Sequence, residues 1–374
     1  MKLAFVRSFD TAISFRILKI LKLFNKKSEP DSKIIKNILC VKFYGMGNLV
    51  MILPSIRAIK EKYPDVLITF LTNQENKGLL ENTNLLNKII YFKMGGFFKT
   101  VFSFLRLINF IKKQHIDMAI DFEQFARSPS ILLFLTGIKQ RIGFNLPTLD
   151  VYDRDLYSKT VLLTNKHMVE GFGELVTILS TKIKNELVKL DTDKKYIENL
   201  KKDINKFKYS NIIGIHSGTG PNADVRKWDK SNFANLCDKL IKEKNCLIIF
   251  TGSLSETKDT SEIMSKMKEK NNVLDMSGKT NISKLISIIS VCDYFISSDT
   301  GPIHIAAAQG IHCIGLYGPN TPFIYGPYTD KKDIFYIKIA CSPCMTNLNL
   351  KKTDCKNNVC MQKINVYEVF DSIK

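Results

Sequence analysis

Residues Asp299 to His304 read Asp-Thr-Gly-Pro-Ile-His and follow an apolar run, Tyr294–Ser298, that predicts a β-strand. The small residues from Ile303 to Gln309 predict the helix after it. A strand end that delivers a carboxylate, then a glycine and free helix N-terminal amides, suits a phosphorylated ligand whose sugar needs a hydrogen-bond acceptor. The plainer alternative is a turn in which Asp299 caps the helix. A second loop, IIGIHSGTGPNADVRKW at 212–228, has matching chemistry. Its strand, 211–216, runs into Ser217, Gly218, Thr219 and Gly220, then Arg226, Lys227 and the only tryptophan. Small residues let backbone amides approach a diphosphate, and two adjacent cations neutralise it. Against a surface loop with solvated charge, the two loops together point to a nucleotide-sugar pocket.

The elements that must position these loops alternate along the chain. Residues 37–43 predict a strand, 44–48 a glycine loop and 49–62 a helix. Further strands are expected at 66–71, 88–92, 118–122 and 141–144, with helices at 97–113 and 127–135. A lysine-rich, glycine-poor stretch, 181–209, precedes a second series with strands at 211–216, 246–250, 273–275, 294–298 and 313–317. Helices at 230–243, 256–268 and 281–289 fill the gaps. The expected fold class is α/β: two doubly wound Rossmann-like domains facing a cleft, with ligands at the strand C-terminal ends. The domain reading is an N-terminal arm (1–36), a first domain (37–180), a linker (181–209) and a second domain (210–374).

A chain of 374 residues has room for two domains of ordinary size. Its 45% apolar and 24% charged content are those of a soluble globular protein. No apolar run reaches the roughly 18 to 20 residues that span a bilayer. The net charge is +19, yet all but eight of the 55 basic residues are lysine, scattered rather than gathered into an arginine patch with aromatics. Nucleic acid is therefore not an expected partner. An anionic membrane surface or a phosphorylated acceptor fits the charge better. Nine Lys/Arg fall in residues 1–36 against Asp10, Glu29 and Asp31. There Ile13, Ile17, Ile20, Leu21 and Phe24 share one helical face, and Arg16, Lys19, Lys22 and Lys26 lie mostly on the other. Such a helix can lie in a headgroup layer or pack on its own domain. Asp10 and Arg16 interrupt the apolar stretch and argue against a signal peptide.

In order and spacing these loops resemble glycosyltransferase family nine, the heptosyltransferases. The matching stretches are ILCVKFYGMGNLVMILPSIRAIKEKYPD (38–65), DFEQFARSPSILLFLTGIKQRIGF (121–144), the HSGTG…RKW loop, SGKTNISKLISIIS from Ser277, SSDTGPIHIAAAQG from Ser297 and LYGPNTP from Leu316. The resemblance implies a GT-B fold in which the second domain binds ADP-heptose and the first binds the lipid A–core acceptor of lipopolysaccharide or lipooligosaccharide. It implies inverting transfer of heptose or a related sugar, no required cofactor or metal, and a cytoplasmic protein peripheral on the inner face of the cytoplasmic membrane. By position, Asp299 would bind hydroxyls of the sugar. Amides around Thr300 and Gly301, with Ser217, Gly218 and Thr219, would hold the diphosphate beside Lys227. Arg226 falls where the family has lysine and would offset leaving-group charge. Glu256 and Thr280 match positions on the nucleoside side, and His304 would either contact phosphate or hold the loop.

The largest departure from the family is in Gly45-Met46-Gly47-Asn48, where the resemblance calls for an aspartate general base at position 48. An amide cannot accept a proton at neutral pH. Asn48 could position a hydroxyl without activating it, or cap the helix expected from Leu49. The nearest replacement bases are Asp121 and Glu123 after the 118–122 strand, with Glu123 preferred because it lies further into the loop. The alternative is a catalytically impaired relative that binds glycans or acts as a scaffold. A dehydrogenase reading of Gly45-x-Gly47 fails for want of the third glycine, since position 50 is Val.

Cys40, Cys237, Cys246, Cys292 and Cys313 sit singly in apolar settings and read as core. Cys341, Cys344, Cys355 and Cys360 have a spacing close to a four-thiolate zinc pattern, with disulfides and free thiols as alternatives. Asp191-Thr192-Asp193 imitates a metal-binding DxD but lies in the charged linker, and reads as solvated.

Overall fold

Runs such as NILCV (37–41) and IIGIH (212–216) are apolar but for one terminal residue each and buried almost throughout, the pattern of parallel strands with helices on both faces. A computed structural model describes residues 14–25, 35–93, 96–146, 156–220, 224–349 and 351–374. The chain divides into two units at Asn185/Glu186, except that Met46–Met51, the start of the helix after the first strand, groups with the second.

The first unit runs α1 (Ser14–Lys22), β1 (Asn37–Val41), α2 (Met46–Lys62), β2 (Leu67–Asn73), β3 (Lys88–Phe92), α3 (Phe97–Lys112), β4 (Met118–Asp121), α4 (Ser128–Leu135), β5 (Gln140–Asn145), β6 (Lys159–Leu162) and α5 (Met168–Thr177). Its six strands are parallel in the order β3-β2-β1-β4-β5-β6. Leu39, Val41 and Phe43 of and after β1 pack with Leu107, Ile108 and Ile111 of α3 and Leu132 and Leu133 of α4. Helix α1 docks on α4 through Leu18, buried against Ile131 and Leu156, with Leu21 and Phe134 beside it. The apolar face read from the sequence is therefore divided. Leu18 and Leu21 hold the helix down while Ile17, Ile20 and Phe24 stay exposed. Ile13 and Lys26 lie outside the described residues.

The second unit runs α6 (Lys194–Ile204), β7 (Ile212–His216), α7 (Lys230–Lys244), β8 (Leu247–Thr251), α8 (Thr257–Lys266), β9 (Val273–Asp275), α9 (Ile282–Ile289), β10 (Tyr294–Ser298), α10 (Gly301–Gln309), β11 (His312–Tyr317), α11 (Pro322–Tyr325), β12 (Lys332–Tyr336), α12 (Val359–Gln362) and α13 (Val366–Asp371). Its sheet order, β12-β11-β10-β7-β8-β9, repeats the first and is again parallel. Each unit is a doubly wound Rossmann-like fold, as expected of the GT-B class.

Two boundaries differ from expectation. The stretch read as a linker contains α6, whose Leu200 and Ile204 are buried with Ile212, Leu247 and Ile288. Its lysines face outward, so an amphipathic helix was read as a solvated segment. Helix α2 begins at Met46, not Leu49, with Gly45 as its N-cap at φ 93°, a backbone conformation that favours glycine.

Candidate active site

Both sheets reverse strand order at one point, and there the loops after the flanking strands diverge to leave a crevice. In the second unit that point lies between β7 and β10. It is where Ser217–Gly220 and Asp299–Gly301 emerge.

Asp299 is 7% exposed and its two carboxylate oxygens differ. Oδ2 accepts from Arg226 Nη1 at 3.1 Å and from Asn320 Nδ2 at 2.7 Å. Oδ1 carries no donor among the described residues. Arg226 also donates to the Asp299 carbonyl at 2.8 Å and to the Thr219 carbonyl at 3.2 Å, tying the β7 and β10 loops together. Its Nε is buried and has no partner among the described residues. Burial pushes the Asp299 carboxyl up, but Arg226, Lys351, the Asn320 hydrogen bond and His304 outweigh it and hold the group below the usual carboxylate range. The site thus holds a charged carboxylate with one oxygen open to a hydroxyl. Asp299 does not cap α10, whose N-cap is Thr300, with its hydroxyl 2.7 Å from Ser297 Oγ. The α10 N-terminal amides begin at Gly301.

Glu256, 8% exposed, braces the other loop: Oε1 accepts the Gly220 amide at 3.0 Å, and Oε2 accepts the Ser253 amide at 2.8 Å and hydroxyl at 2.7 Å. A Cβ on Gly218 would fall 2.1 Å from Glu256 Oε1, so glycine is what lets the carboxylate approach. Burial raises the Glu256 carboxyl, but His216 and the Ser253 and Gly220 donors together bring it below its ordinary value. Burial lowers His216, which Glu256 and Thr251 only partly oppose.

Several expected site residues are placed differently. Lys227 reaches Asp224 and Asp259, each at 2.7 Å, and shares Asp259 with Lys230. Its charge is paired with these carboxylates. Thr280 is half-buried and follows β9, while His304 is buried in α10. Cys360 is buried, Cys344 and Cys355 are half-buried and Cys341 is exposed. Among the described residues no three His, Cys, Asp or Glu side chains are grouped to hold a metal, and the four tail cysteines are free thiols, one of the alternatives their spacing left open. The five core cysteines are buried as expected. Asp191 and Asp193 are exposed as expected, and Asp193 also caps α6 by accepting from the Tyr196 amide at 3.0 Å.

Of the expected replacement bases, Asp121 ends β4 and Glu123 follows it, at the switch point of the first sheet. Glu123 is 3% exposed; Oε2 pairs with Lys42 Nζ at 2.8 Å, and Oε1 accepts the Phe43 and Tyr44 amides at 2.7 and 2.9 Å. Asp121, fully buried, takes the Glu123 amide at 2.8 Å and the Tyr157 hydroxyl at 2.5 Å. Glu123 thus holds the loop before Gly45, while Asp121 holds the Tyr157 hydroxyl and the Glu123 amide, so both carboxylates expected as bases already carry partners. Asn48, half-buried, sits inside the first turn of α2, where it cannot be the N-cap.

Sequence reasoning passed over two residues. Asn320 follows β11, and an amide at that strand end was a readable signal. Lys351 lies far from any strand that predicts it, yet acts on Asp299 and sits over the Tyr325 ring.

Fold and loop order together define a glycosyltransferase of the GT-B class. The chain belongs to glycosyltransferase family 9 (heptosyltransferase), whose family model matches residues 104–353. It is 25% identical over 333 residues to lipooligosaccharide heptosyltransferase 2 of Campylobacter jejuni, covering 88% of this chain and 95% of the relative. Among solved structures, ADP-heptose lipopolysaccharide heptosyltransferase II of E. coli aligns with a TM-score of 0.73 at 17% identity, over 90% of this chain and 97% of that one. E. coli heptosyltransferase WaaC with ADP-2-deoxy-2-fluoro heptose aligns at 0.63 and 15%, over 80% and 92%. Heptose transfer is the activity these relatives share by name.

Proposed function

We propose that this protein transfers heptose, with inversion, from ADP-heptose to the lipid A–core region of lipopolysaccharide or lipooligosaccharide, without a metal ion, at the inner face of the cytoplasmic membrane. The observation that carries the reading is Asp299: its open Oδ1 offers a sugar hydroxyl a charged acceptor, beside the α10 amides and the unpartnered Arg226 Nε. In the reaction an acceptor hydroxyl oxygen forms a bond to the anomeric carbon as the bond to the diphosphate oxygen breaks. ADP leaves with the electron pair, and its charge is offset by α10 and Arg226. With Glu123 paired to Lys42 and the loop amides and Asp121 to Tyr157, the hydroxyl proton passes to water or to an acceptor phosphate while the Asn48 amide orients the hydroxyl.

The Asn48 amide also favours a second reading, a family member that binds donor and glycan without turnover. Acceptor-dependent ADP release from ADP-heptose separates the two. The parent should release ADP with a heptose-deficient lipooligosaccharide, with or without a chelator, and Asp299→Ala should lose at least about 10²-fold while remaining folded. Donor binding without ADP release would favour the second reading, and loss of activity with chelator would refute metal independence.

A further inference from the structure

Helices α3 and α4 lie in the β3–β4 and β4–β5 connections, and right-handed crossovers put both on one face of the first sheet. Leu132 and Leu133 of α4 pack on the α3 side, and Ile131 and Phe134 pack on α1. Arg141 Nη2 donates to Asn25 Oδ1 at 2.9 Å and pins the end of α1. The three helices thus form one layer, α3-α4-α1.

The outer side of this layer is unusually apolar. Phe102, Leu105 and Phe110 follow helical spacing along α3 and are 56, 54 and 40% exposed, although the opposite stripe of the same helix is already buried. Ile20, Leu23 and Phe24 of and after α1 are 59, 83 and 70% exposed. A surface helix with one buried face has no structural need for a second apolar one.

The charge on the layer has one sign. Arg106 lies over the Phe102 ring at 4.2 Å and Lys88 over the Phe110 ring at 4.6 Å. Lys19 on α1 and Lys112 at the end of α3 are exposed. None of α1, α3 and α4 contains an aspartate or glutamate, whereas α7 and α8 of the second unit carry Asp238, Glu243, Asp259 and Glu262 among their lysines. A second copy across a two-fold axis would set cation against cation, so the face is not built for itself. It fits a partner that is both apolar and anionic over a broad area.

We propose that the α3-α4-α1 layer docks on an anionic lipid bilayer, with Phe102, Leu105, Phe110, Ile20, Leu23 and Phe24 entering the headgroup layer and the cations meeting lipid phosphates. This deepens the proposed function by naming the surface that would meet the acceptor's membrane, and it rests on that reading for its biological purpose. It differs from binding by a basic arm alone, because α3 carries half of the face.

Flotation of the full chain with vesicles of phosphatidylglycerol and phosphatidylcholine, and of phosphatidylcholine alone, tests it. The parent should float with the anionic vesicles and weaken as salt rises. Phe102→Ser/Leu105→Ser/Phe110→Ser should weaken binding by about tenfold or more, as should Ile20→Ser/Phe24→Ser. Both variants should keep the parent's circular dichroism spectrum and ADP release with a short soluble core acceptor. An α3 variant that floats like the parent overturns the composite face, and so does a parent dimer that these substitutions dissociate. Vesicle binding by a parent that transfers no heptose would leave the docking face standing and sink the transferase reading.

Discussion

A carboxylate on this chain is defined by its partners more than by its position at a strand end. Asp299 and Glu123 both emerge at sheet switch points, and the sequence offered each for chemistry. Asp299 keeps an open oxygen, whereas Glu123 is saturated by Lys42 and two amides from residues 79 to 81 positions away. Motif and strand end made Asp299 legible, but nothing local announces so distant a pairing. Glu123→Gln should therefore act mainly on stability: it leaves Lys42 as a buried charge without its counterion, a loss of about 3 to 5 kcal/mol that denaturant unfolding would read. Unchanged stability with turnover down about 10² to 10⁴ would restore Glu123 as the base. Asp299 also predicts a pH effect. Its folded carboxyl lies below the ordinary value, so its stabilisation is complete above the unfolded pKa of about 3.9 and is lost as pH falls through the lower folded value. Asp299→Asn should lower stability at pH 7 and lose less than the parent on acidification below pH of about 4. An equal loss in both proteins would mean that the Arg226 pair does not stabilise the fold.

The central strands were legible as elements because they are apolar on both faces, and so β1, β4, β7, β8, β10 and β11 fall within a residue or two of expectation. The edges were not. Strand β6 is mostly exposed, and β12 opens with Lys332-Asp333, so sheet pairing rather than pattern makes them strands. Helix α6 hid among lysines for a similar reason, since only Leu200 and Ile204 of its residues are buried. At the loop scale, the glycine at 218 is dictated by the Glu256 carboxylate. Gly218→Ala should push that carboxylate off the Gly220 amide, cost about 1 to 3 kcal/mol of stability and weaken ADP binding measured by calorimetry. Unchanged ADP affinity would mean that the β7 loop does not shape the donor site.

Over the whole molecule, two six-stranded sheets share one strand order, and in each a carboxylate after the returning strand braces the loop after the first. Glu123 grips Lys42 and its neighbouring amides in one unit, and Asp299 grips Arg226 in the other. The family and the doubling of the fold could be read from loop order and spacing. The chemistry of the acceptor hydroxyl could not, because position 48 holds an amide and the replacement carboxylates are paired with Lys42, loop amides and Tyr157. Whether the chain transfers sugar at all is therefore decided by the product. Purified protein incubated with ADP-heptose and heptose-deficient lipooligosaccharide should shift the acceptor's mass spectrum by one heptose residue, and Asp299→Ala should leave it unshifted. An acceptor of unchanged mass in the presence of folded, donor-binding parent protein would contradict heptosyl transfer.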